Sequence, residues 1–85
     1  MYGINLVDVA RILGTVATSN VVFSKNGLVK SIHQEIIKYS AEKNIEMVRV
    51  MMKTLARQND AAYNDIIKIL KENFSPDELK DILPD

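Results

Sequence analysis

The chain has no cysteine, no tryptophan, one histidine, three glycines, two prolines and no net formal charge. Without cysteine there is no disulfide framework, no thiolate zinc site and no cysteine nucleophile. The glycines, Gly3, Gly14 and Gly27, are too far apart to build a phosphate-cradling loop. No apolar run approaches the ~20 residues that a membrane span needs. Neutrality argues against a generic polyanion binder. The start, Met1-Tyr2-Gly3-Ile4-Asn5, lacks the basic region of a signal peptide, so the expectation is a cytoplasmic protein with no membrane partner.

What remains is an ordinary globular composition. Of 85 residues, 47% are apolar and 26% charged, which argues against disorder. That length makes one domain, burying roughly 60–65% of the surface of its unfolded chain. The expected fold is all-α, a compact single-domain bundle of four to five helices over residues 1–85.

Periodicity and capping residues place the helices. The first runs over Leu6–Ala17, with Asn5 as N-cap and Ile4 and Val9 at the two positions of a hydrophobic staple. Its apolar or small residues cover about 220° of the wheel, leaving only Asp8, Arg11 and Thr15 polar. Residues 18–27 read equally well as a strand hairpin around Val21-Val22-Phe23 and Asn26-Gly27, or as a short helix closed by Gly27. A second long helix covers Leu28–Lys43, with Leu28, Val29, Ile32, Ile36, Ile37 and Tyr39 on one face. A third covers Ile45–Gln58 behind Asn44. Its apolar arc of about 180° suits a central helix contacted on two sides, and Met47, Met51 and Met52 are read as core. A fourth covers Ala61–Asn73 behind Asp60, with an apolar arc of about 160°. A short fifth, Pro76–Leu83, folds back as a cap. It starts at a capping box, Ser75 with Glu78, carries Pro76 at N1, pairs Phe74 with Leu79 as a staple, and ends before Pro84. The second, third and fourth helices are expected to form consecutive antiparallel hairpins. An acid-Ile-Ile-Lys tetrad recurs at residues 35–38 and 65–68, but the match fails outside it, so no duplication is inferred.

Enzymatic constellations are almost absent. His33 sits near the edge of its helix's apolar face beside Ser40, and Ile36 and Ile37 occupy the positions where a second metal ligand would stand. It is read as a partly buried imidazole bonded to a neighbour or to water. Asp77, Glu78 and Asp81 lie in the first turns of the last helix, where acids favour the positive helix end. No catalytic residue, metal ligand or cofactor is assigned.

Three features stand above this background. In the first helix, Leu6, Ala10, Gly14 and Ala17 form a side of mostly small residues, opposite the larger Val9, Ile12, Leu13 and Val16. Such a side permits close approach of another helix, so it is the candidate self-association surface of a homodimer or other homo-oligomer. Next is charge asymmetry: residues 1–57 carry eight basic and four acidic side chains, and residues 58–85 three basic and seven acidic. Arg49, Lys53 and Arg57 recur at i, i+4 and i+8, a stripe that can contact phosphates or an acidic protein surface. The third feature is Val9-Ala10 with Leu13-Gly14, which resembles the first half of a helix-turn-helix unit with Gly14 in the turn. The second half fits only with an insertion at Thr15, and Asn20, Lys25 and Asn26 would then contact DNA.

The function expected from the sequence is a non-enzymatic helical interaction or regulatory module that binds a protein partner and self-associates. The alternatives are a small helix-turn-helix-like DNA-binding regulator and a structural subunit of a homo-oligomeric assembly.

Overall fold

In the computed structural model, residues 3–17 and 27–84 are described, except for the side chains of residues 16 and 17. The choice between hairpin and short helix at residues 18–26 lies outside them, as do Lys25 and Asn26. The described residues form five helices and no strand: α1 (Leu6–Ala17), α2 (Gly27–Ala41), α3 (Ile45–Gln58), α4 (Asp60–Asn73) and α5 (Pro76–Leu79).

Local chemistry at the junctions fixes these boundaries. Asn5 Oδ1 accepts from the backbone N–H of Val7 at 3.1 Å and of Asp8 at 3.3 Å. It thereby satisfies two of the four donors that a helix start leaves open. Ile4 and Val9, the staple pair, are both buried.

The end of α2 differs from expectation. The helix stops at Ala41, and Lys43 turns left-handed with φ of 60°. Lys43 N–H then donates to Ser40 O at 3.0 Å, and Asn44 N–H to Tyr39 O at 2.9 Å. This is a Schellman closure, with lysine at the position that usually holds glycine. Asn44 also begins α3, its Oδ1 accepting from Met47 N–H at 3.2 Å.

A single residue separates α3 from α4. Asn59 N–H donates to Leu55 O at 2.9 Å, and its Oδ1 accepts from Ala62 N–H at 2.9 Å. Asn59, not Asp60, is therefore the N-cap, and Asp60 is the first helical residue. An acid there still suits the positive helix end.

The capping box at α5 is complete: Glu78 N–H donates to Ser75 Oγ at 3.2 Å and Ser75 N–H to Glu78 Oε1 at 2.9 Å. The α-helix nonetheless ends at Leu79 rather than Leu83. Tighter bonds, Asp81 N–H to Glu78 O and Ile82 N–H to Leu79 O, carry the chain on as turns.

Consecutive helices pack in pairs, α1 on α2, α2 on α3, α3 on α4 and α4 on α5. The core draws Val9 and Leu13 from α1, Val29, Ile32 and Ile36 from α2, and Val48, Met52 and Leu55 from α3. From α4 come Ala62, Ile66 and Leu70, and Leu79 and Ile82 close it from the C-terminal turn. The spacing of three and four is that of one helix face. Met52 lies in the core, while Met51 packs against it half-buried. On α2 the buried stripe takes in His33 and Ser40, and Leu28, expected on the apolar face, is 53% exposed.

Candidate interaction site

The side chains of Arg49, Lys53 and Arg57 all stand on the outer face of α3, exposed. At 1.5 Å per residue they span about 12 Å of helix in two equal steps. Between them lie Val50, 51% exposed, and Thr54, whose Oγ1 donates to Val50 O at 2.9 Å. Together with Glu46 and Pro84 they line a groove of about 500 Å³. Pro84 reaches it from the far end of the sequence and gives the stripe a second wall.

Among the described residues, the ion pairs are Asp8–Arg11 at 3.7 Å and Asp77–Lys80 at 3.5 Å, both local i,i+3 contacts. Among the described residues, no ion pair reaches Arg49, Lys53 or Arg57, and none joins the basic region to the acidic C-terminal third. Three of the seven acids of that third are engaged elsewhere. Glu78 closes the capping box, Asp77 meets Lys80, and Asp81 Oδ2 accepts from Gly3 N–H at 2.9 Å. The α3 cations are exposed and without an ion pair among the described residues.

Pro84 also borders a second groove of about 630 Å³, lined by Lys71, Phe74, Pro76, Leu79, Lys80 and Leu83. It runs between the end of α4 and the C-terminal turn, apolar at its base and flanked by two lysines. Sequence periodicity did not reveal it, because it depends on where the C-terminal turn docks. The signal that was available is Pro84 itself, a rigid apolar residue just beyond the last helix.

The remaining candidates are dispersed. Leu6, expected on the self-association side of α1, belongs instead to the core at 7% exposure. Ala10 and Gly14 are half-buried, and the side chain of Ala17 lies outside the described residues. A Cβ placed on Gly14 would meet no atom within 4 Å, so no helix approaches it closely among the described residues. Gly14 is also helical, three residues before the end of α1, and does not supply the turn of a helix-turn-helix unit.

His33 is deeper than its sequence position suggested. The ring is 1% exposed and hydrogen-bonds to the Leu13 backbone, linking α2 to α1. Burial pushes its pKa below the ordinary value, against the smaller opposing pull of that bond. Burial likewise raises the Tyr63 phenol. Among the described residues, no group of three metal-ligating side chains occurs, and no helix is long and apolar enough to cross a membrane. Compared with known proteins, the chain matches no family model, no curated protein and no solved structure.

Proposed function

We propose that this chain is a non-enzymatic protein-binding module whose binding surface is the outer face of α3, and that the surface takes an acidic segment of a partner protein. The observation that carries the reading is the row Arg49, Lys53 and Arg57, exposed, evenly spaced and without an ion pair among the described residues, around the exposed Val50. Exposed cations around an apolar centre suit a protein surface of opposite charge. The chain's neutrality weighs against a nucleic-acid backbone as the occupant.

The test is a binding titration with a poly-glutamate peptide and with duplex DNA, each across salt. The proposal expects the peptide to bind at low salt and Arg49→Glu with Lys53→Glu to abolish it. Tighter binding to DNA, falling steeply between ~50 and 200 mM salt, would favour the DNA-binding alternative.

Self-association through α1 is a second reading. It draws on Val7, 47% exposed, and on Gly14, two turns further along the same side of α1, where a Cβ would meet no neighbouring atom. Sedimentation at high concentration decides it: a dimer that Gly14→Leu dissociates, with unchanged circular dichroism, supports it, and a monomer refutes it.

A further inference from the structure

The two grooves are neighbours rather than separate features. Pro84 lines both, so the basic groove on α3 and the apolar groove of Phe74, Leu79 and Leu83 adjoin at this residue. The apolar groove is itself flanked by cations: Lys71 on α4 has no ion pair among the described residues, and Lys80 pairs only with its helix neighbour Asp77. Each groove falls in the volume range of specific binding pockets, roughly 300–1,000 Å³. A purely acidic chain would satisfy the first groove and leave the second wet. A purely apolar one would leave Arg49, Lys53 and Arg57 without counter-charges. Complementarity to both requires a ligand with an apolar side and carboxylates flanking it.

Building on the proposed role of the α3 face, we infer that the partner segment is an acidic amphipathic helix that straddles Pro84. Its apolar side chains enter the groove of Phe74, Leu79 and Leu83, and its carboxylates meet Arg49, Lys53 and Arg57 on one side and Lys71 on the other. Helical spacing fits this arrangement. The α3 cations are one turn apart, about 6 Å, and glutamates at i, i+4 and i+8 of a partner helix repeat at the same interval. Helix-in-groove recognition of this kind takes its anchors at i, i+3, i+4 and i+7.

The experiment titrates the intact protein with a synthetic peptide of about four helical turns, leucines at that anchor spacing and glutamates elsewhere. Poly-glutamate of equal length and an oligothymidylate serve as comparison probes. The inference expects the amphipathic peptide to bind saturably and at least about tenfold more tightly than poly-glutamate. Arg49→Glu with Lys53→Glu should weaken it by about tenfold, and Lys71→Glu severalfold. Lys71 is exposed, so its reversal tests the second groove without disturbing the core. If both peptides bind equally and Lys71→Glu has no effect, the inference fails while the α3 reading stands. If neither peptide binds, both fail. If the oligothymidylate binds most tightly, a nucleic acid replaces the protein partner.

Discussion

The Gly3 backbone N–H donates to Asp81 Oδ2 at 2.9 Å, a contact that spans 78 residues of sequence. It holds the segment leading into α1 against the turn that carries Ile82, Leu83 and Pro84. The position of the groove wall therefore depends in part on the N-terminus. Asp81→Ala should lower the unfolding free energy by about 1 kcal/mol, the usual net worth of an intramolecular hydrogen bond. Urea unfolding checks this, and an unchanged midpoint would mean that the contact is not maintained in solution.

Lys43 is the described non-glycine residue with positive φ, at 60°. An L-residue in that region carries a steric cost that glycine does not. Lys43→Gly should raise stability by about 0.5–1 kcal/mol, and Lys43→Val should lower it, because β-branching worsens the clash. Thermal melts of the two variants should move in opposite directions.

His33 makes stability depend on pH. Its folded-state pKa lies below the ordinary 6.5, so the unfolded chain takes up a proton more readily than the folded one. The stability present above about pH 6.5 is therefore lost progressively as pH falls through the folded pKa. His33→Gln should remove that part of the slope. Urea midpoints of parent and variant, compared at several pH values between about 8 and 5, check this.

Gly14 sits in the interior of α1 with open space where its Cβ would be. In a monomer, Gly14→Ala should stabilise by about 1 kcal/mol through helix propensity alone. If α1 packs closely on a second copy there, the same change should instead weaken the assembly. Melting temperature measured at two protein concentrations separates the two outcomes.

Sequence and structure agree at the starts of α1 and α3. They follow from Asn5 and Asn44, whose side chains accept from first-turn N–H groups and which precede periodic apolar residues. At residues 59–60 two side chains can cap. Asn59 takes the role because its backbone is extended, with φ of −158° and ψ of 99°, while Asp60 is already helical. The end of α2 was obscure because a left-handed lysine leaves no mark that a left-handed glycine would. The cationic stripe was legible from its spacing of four. The adjoining apolar groove was not, because Leu83 and Pro84 come to line it only through tertiary docking of the C-terminal turn. For the same reason Leu6 reads as part of a small-residue face but is buried.

The central claim, that the α3 face and the groove beyond Pro84 form one binding surface, is tested most directly by amide chemical-shift mapping of the isotopically labelled protein during titration with the acidic amphipathic peptide. The largest changes should fall on α3 around Arg49, Lys53 and Arg57 and on Phe74, Leu79 and Leu83, with α1 and α2 little affected. Changes centred on α1, or none at saturating peptide, would contradict it.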